Sequence, residues 1–380
     1  MAVIHCRHFN GYKPCGKSDD CSEACDQISP VQNRILIIHL GALGAVVRAT
    51  AILKSIHEKY PNSHVTWVTD APGHHLLKTH PRIDRVLVTQ LEDLLILSAL
   101  EFDIAFVIDK SLKAAGVLRQ TRAKKVFGFI ADPQTGVIVP ATPSADYLWQ
   151  LGLSNQKKFF ENKKSEVALL VEALELGSIT PEYDLPMTFA EHTEVLKRRA
   201  MWSDSGQNKV IGINTGCSAV IEAKKLPVST QHQLAKKLLQ LGYQVVLLGG
   251  PEDSERNLEI GRTLNVIQSS TNQGLRDGYI SVAGCDLVIT GDSLGMHLAI
   301  AAQIPVIAWF GPTCSHEIEL YGRGIALEAP VGCAPCWLRK CDKEKKCSDL
   351  IQVDQLIESV IECLPREEKN QSGHTDSISR

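Results

Sequence analysis

A chain of 380 residues is longer than one hydrophobic core usually serves, and two domains of ordinary size are the natural division. With 44% hydrophobic and 22% charged residues, the composition is globular and excludes disordered or fibrous classes for most of the chain. A formal net charge of −3 argues against a nucleic-acid partner. No apolar run approaches the roughly 18 residues needed to cross a bilayer, and no signal-peptide core opens the chain, so a cytoplasmic protein is expected.

In chain order, residues 1–30 are polar and Cys-rich without helical or strand periodicity, and they are expected to form an appended segment. A first domain is assigned to residues 31–187. Its predicted elements are a strand at Arg34–His39, a glycine turn, a helix from about Ala45 to Tyr60 and a strand at His64–Thr69. A short strand at Arg85–Val88, a helix near Leu91–Ala99 and a strand at Ile104–Ile108 continue it. Ser165–Leu176 reads as one amphipathic helix, followed by a proline-punctuated connector and a boundary near Thr188. A second domain, residues 188–352, starts a fresh series with Lys209–Ile213, QVVLLGG, NVIQS, Cys285–Ile289 and Pro305–Phe310. An amphipathic helix over residues 353–365 and a polar, disordered tail over 366–380 close the chain. Alternation of this kind predicts an α/β protein of two doubly wound, Rossmann-like halves, with ligands in the cleft outside the strand ends.

The segment Thr290–Pro312 encodes a strand, a turn with the helix-capping residues Asp292 and Ser293, a helix bearing His297, and a second strand. The free N–H groups of Ser293, Leu294 and Gly295 would favour an anion, so a phosphorylated ligand is expected, with Asp292 as the cap and His297 as a further donor. Thr215 and Gly216 follow the strand KVIGI and can offer hydroxyl and amide groups to the same phosphates. Gly249 and Gly250 permit a tight turn, after which Glu252 is placed to accept from ribose hydroxyls.

INTGCSAVIEAKKLP, VVLLGGPEDSERN and LVITGDSLGMHLAIAAQIPVIAWFGPT, in this order, resemble the donor half of family 9 glycosyltransferases, the lipopolysaccharide heptosyltransferases. RILIIHLGALGAVVRATAILKSIHEKYPNSHVTWVT resembles that family's opening. The resemblance implies the GT-B architecture, with an acceptor-binding first half and a nucleotide-sugar-binding second half. It further implies transfer of a heptose from ADP-heptose to a lipopolysaccharide core with inversion, and no cofactor for the transfer. Lys224, three residues before Pro227, matches the family's phosphate-binding lysine, with Leu226 in place of a Trp and Lys225 as its rival. Glu252 matches the family's ribose-binding glutamate.

The family's L-G-x-x-G-D turn carries its catalytic aspartate, whereas this chain reads Leu40-Gly41-Ala42-Leu43-Gly44-Ala45. Gly41, Leu43 and Gly44 keep the acceptor-side turn while the carboxylate is gone. Candidate bases at neighbouring strand ends are Asp109, then Asp70, with His39 also at such an end. The alternative is a nucleotide-sugar-binding protein without transferase activity. A nicotinamide-dependent oxidoreductase is disfavoured because no G-x-G-x-x-G follows any strand.

Cys333, Cys336, Cys341 and Cys347, at C-x2-C-x4-C-x5-C within the loop 333–347, have a spacing that can wrap zinc, with free thiols or a disulfide as alternatives. Cys6, Cys15, Cys21 and Cys25 can hold zinc or an iron–sulfur cluster. The expected partners are a nucleotide-sugar donor and a lipid-linked saccharide acceptor, the protein being a monomer at the inner face of the inner membrane. Arg119–Phe129 offers either a basic, aromatic membrane contact or an ordinary helix end followed by a short strand.

Overall fold

The computed structural model describes residues 5–364 apart from Ser205 and Ala219, so the expected tail at 366–380 lies outside the described residues. Two six-stranded sheets organise them. The first contains β1 (Asn33–Ile38), β2 (Ser63–Thr69), β3 (Arg85–Val88), β4 (Glu101–Val107), β5 (Arg122–Ala131) and β6 (Ile138–Pro140), in the order β3-β2-β1-β4-β5-β6. All neighbours are parallel except β5 and β6. The second contains β7 (Val210–Asn214), β8 (Gln244–Leu248), β9 (Ile267–Gln268), β10 (Leu287–Gly291), β11 (Val306–Phe310) and β12 (Gly324–Glu328), in the order β12-β11-β10-β7-β8-β9, all parallel.

Central strands such as β1 and β10 are buried on both faces, which is why they read as continuous apolar runs rather than alternating ones. In each sheet the chain reverses direction across one pair of strands, β1 and β4 in the first and β7 and β10 in the second. Such switch points open a crevice at the carboxyl ends of the strands, where ligands bind.

Several sequence expectations are corrected. The long helix from Ala45 is two helices, Leu43–Ala49 and Ile52–Lys59, separated at Thr50, whose hydroxyl donates 2.6 Å to the Val47 carbonyl in place of a regular helical bond. The Ser165–Leu176 helix is shorter, Glu166–Ala173, with Ser165 as its N-cap. Strands β6 and β12 have no counterpart among the expected elements, and β5 corresponds to the short strand that is one of the two readings of Arg119–Phe129. The Arg119–Phe129 stretch is the end of the helix Leu112–Leu118 running into β5, which pairs with β4.

The halves meet in an apolar seam. Val47, Ala51, Leu76, Val167 and Tyr183 share one buried cluster with Met296, Ala299 and Ile300 of the helix Leu294–Ala301. At its centre Gly44 approaches His297 so closely that a Cβ on residue 44 would sit 2.4 Å from His297 Cδ2. Gly44, expected to make room for an acceptor, therefore makes room for the other half of the protein. Gly44→Ala is expected to cost about 1–3 kcal/mol through overpacking, read as a lowered thermal midpoint with the secondary structure unchanged by circular dichroism.

Candidate functional site

Across the second switch point, the turn Glu222–Lys224 is pinned beneath the end of β10: Trp309 Nε1 donates 2.9 Å to the Lys224 carbonyl, and Gly291 leaves no room for a side chain against that same oxygen. This places the Lys224 ammonium 2.7 Å from Asp292 Oδ2, with both side chains largely buried. Burial alone would raise the Asp292 proton affinity, but Lys224 and His297 outweigh it and hold the carboxyl below its ordinary range. Asp292 is therefore Lys224's counter-ion. The residue at the N-cap position is Ser293, whose hydroxyl contacts Asn214 Nδ2 and Thr290 Oγ1, both at 3.0 Å. Ser293, Leu294 and Gly295 do open the helix at the switch point, with Gly295 against the Asn214 side chain.

Thr215 is used by the fold rather than left open. Its amide and hydroxyl donate to the Leu248 carbonyl at 3.2 and 3.1 Å, and its carbonyl accepts from Gln231 and Arg256. Gly216 packs directly on the Asp253 carboxylate, where any Cβ would collide. Asp253, not singled out in the sequence, is buried, accepts from the Gly250 amide at 3.0 Å and lies 3.5 Å from the Lys225 ammonium, giving that lysine a partner of its own. Glu252 is exposed on the same turn, beside Gly250.

His297 is buried, with Nδ1 3.3 Å from the Tyr183 hydroxyl. Burial, reinforced by Arg48, pushes its pKa down to about 3, so it stays neutral and belongs to the seam rather than to an open anion pocket. The lone-histidine pattern carried no sign of this, because Gly44 and Tyr183 are remote in sequence.

In the first half, Leu40, Gly41, Leu43, Asp70, Asp109 and Lys113 are among the walls of a cavity of about 550 Å³ at the carboxyl ends of β1, β2 and β4. Asp70 is paired with Lys113 at 2.7 Å and accepts from the Thr89 hydroxyl. Asp109 accepts from His39 Nδ1 at 2.9 Å and from the Leu40 amide. Burial opposes the ionised form, but these bonds and the Gly41 amide hold its pKa below the usual carboxylate range. Between the halves lie further charges that the sequence did not flag. Arg48 pairs with Glu166, and Lys158 lies 3.5 Å from Glu317, whose pKa burial raises.

Trp337 joins these regions, with the Lys158 ammonium 4.5 Å and the Lys224 ammonium 5.7 Å from its ring centroid. It sits in the loop whose Cys333, Cys336, Cys341 and Cys347 all line one cavity of about 30 Å³. In the N-terminal segment Cys6 bridges to Pro30 and Arg7 pairs with Asp84 at 2.8 Å, tying the segment to the first sheet. Among the described residues no three or more His, Cys, Asp or Glu side chains are gathered as metal ligands.

Two outcomes follow from these charges. Lys224→Met strands a buried carboxylate and is expected to cost about 3–5 kcal/mol at neutral pH. The loss should be relieved in Lys224→Met/Asp292→Asn and on acidification, because the stranded Asp292 then takes a proton; thermal unfolding across pH checks it. For His297 the folded pKa lies below the unfolded value of about 6.5, so its penalty is absent above that pH and grows as pH falls toward about 3. His297→Gln is expected to flatten the dependence of unfolding free energy on pH over this window.

The model of glycosyltransferase family 9 (heptosyltransferase) matches residues 96–347. Lipopolysaccharide heptosyltransferase 2 of Escherichia coli is 25% identical over 303 residues, 74% of this chain and 83% of that protein. Among solved structures, a family 9 glycosyltransferase of Veillonella parvula superposes with a TM-score of 0.66 at 19% identity, over 88% of this chain and 98% of that one. The ADP-heptose LPS heptosyltransferase II of E. coli superposes with a TM-score of 0.61 at 19% identity, over 87% and 98%. The two parallel-sheet halves thus have the GT-B fold, and the chain belongs to glycosyltransferase family 9, the heptosyltransferase family.

Proposed function

We propose that this protein is an inverting glycosyltransferase that moves a heptose from ADP-heptose to a lipopolysaccharide core or related lipid-linked glycan. The observation that carries the reading is Lys224 with its counter-ion Asp292 at the switch point of the second sheet, inside the segment matched by the family model. A diphosphate arriving beside the helix Leu294–Ala301 would share the Lys224 ammonium with Asp292 and meet the N–H groups of Ser293, Leu294 and Gly295. Glu252, exposed at the end of β8, is assigned to the ribose, and Thr215 and Gly216 to shaping the floor of the donor pocket.

Acceptor chemistry is assigned to the cavity walled by Gly41, Leu43, Asp70 and Asp109, with Asp70 and Lys113 orienting the incoming saccharide and proton removal at the Asp109 end. Transfer itself uses no cofactor in this reading. Cys333, Cys336, Cys341 and Cys347 line one cavity without being gathered as ligands, and zinc, were they to close on it, would have a structural role, holding the loop that carries Trp337. Zinc or an iron–sulfur cluster at Cys6, Cys15, Cys21 and Cys25 is retained on the same terms. No helix among the described residues is long and apolar enough to cross a membrane. We place the protein in the cytoplasm as a monomer meeting its lipid-linked acceptor at the inner face of the inner membrane.

The test is transfer of heptose from ADP-heptose to an O-deacylated lipopolysaccharide core, followed by mass spectrometry, with ADP binding read by thermal shift. Wild type is expected to do both. Lys224→Gln, which keeps a hydrogen-bond donor beside Asp292, is expected to lose at least about tenfold in ADP affinity. Binding of ADP-heptose without transfer or donor hydrolysis would favour the non-catalytic binder.

A further inference from the structure

The two strand ends flanking the switch point of the first sheet carry an imidazole and a carboxylate in direct contact. His39 directly follows β1, Asp109 lies just beyond β4, and His39 Nδ1 stands 2.9 Å from Asp109 Oδ1. An ionised carboxylate can only accept, so Nδ1 carries a proton, and in the neutral ring Nε2 keeps a lone pair. That second nitrogen has no hydrogen-bond partner among the described residues. The Leu40 amide holds the other carboxylate oxygen, so the orienting group is itself fixed. A Cβ on Gly41 would come within 3.2 Å of Asp109 Oδ1 and 3.3 Å of His39 Cε1, and Gly41 and Asp109 both wall the 550 Å³ cavity. Glycine at 41 therefore brings the cavity wall close to the pair with no side chain between them.

The neighbouring carboxylates are committed elsewhere: Asp70 to Lys113, Glu166 to Arg48 and Asp292 to Lys224. Asp109 alone in this group is paired with an imidazole, a ring that can donate a hydrogen bond from one nitrogen and accept a proton at the other. We infer that His39 is the proton acceptor of the transfer reaction and that Asp109 is its positioning residue, an inference that rests on the glycosyl-transfer reading above. The acceptor hydroxyl proton passes to His39 Nε2 while the hydroxyl oxygen forms a bond to the anomeric carbon. The bond from that carbon to the diphosphate oxygen breaks, and its electron pair leaves with ADP. The charged groups around the imidazole are Asp109, Glu166 and the cations Arg48, Lys110 and Lys158 that act on Glu166.

The experiment combines kinetics with imidazole NMR on the full-length protein, using ADP-heptose with the O-deacylated core and donor hydrolysis as a second turnover readout. His39→Gln is expected to lower kcat by about 10²–10⁴-fold with KM for ADP-heptose within about threefold, and to abolish the acid limb of the kcat–pH profile. His39→Ala should recover activity with added imidazole, which a structural role would not allow. Asp109→Asn should lower kcat while retaining an acid limb, displaced toward lower pH because the imidazolium loses its counter-charge. Long-range ¹H–¹⁵N spectra of wild type should show Nδ1 protonated and Nε2 bare in the neutral ring. The inference is overturned if His39→Gln turns over within threefold of wild type, if the acid limb survives in it, or if the spectra show the opposite tautomer. Failure of wild type to bind ADP-heptose or transfer sugar would instead defeat the underlying reading, while the spectra still decide the state of His39.

Discussion

The packing of Gly44 against a neutral His297 is the constraint on which the rest of the architecture depends. Gly44 opens the helix after β1, and His297 lies in the helix after β10, so their contact brings the carboxyl ends of the two sheets together. An imidazolium could not occupy that position, because Arg48 stands nearby and burial removes the water that would stabilise its charge. The apolar cluster around it, from Val47 and Ala51 on one side to Met296 and Ile300 on the other, excludes water and turns two sheets into one site.

Charge is distributed across that site as separate local pairs rather than one diffuse field. Lys224 with Asp292 lies at the switch point of the second sheet, Lys113 with Asp70 at that of the first, and Arg48 with Glu166 between them. A buried ion pair adds little net stability, since desolvation offsets most of the attraction. Its effect here is positional: it fixes where the Lys224 ammonium stands, at a cost already met in folding. Trp337 lies close to both Lys158 and Lys224, so the cysteine loop packs where the two halves meet.

Much of the fold was legible because doubly buried parallel strands produce apolar runs that stand out without any alignment. β1, β2, β7, β10 and β11 are such runs, and glycine or capping residues follow them. β5 stayed one of two readings because its first half is exposed and carries Arg122, Lys124 and Lys125, and β12 escaped because it is short and only half-buried. Lys224 was legible through its motif; its partner Asp292 was read as a cap because local rules place aspartate at helix starts, and only the fold brings a lysine 68 positions away to it.

The sequence by itself determined the two alternating α/β series, the turns that end their central strands and the residue types available there, since these depend on periodicity and local backbone preference. Only the tertiary structure decided which of those residues meet. His39 and Asp109 are 70 positions apart and become neighbours because β1 pairs with β4 on one edge as well as with β2 on the other. Hydrogen bonding, burial and charge pairing act across space, and those distances are set by strand order and by the seam between the halves.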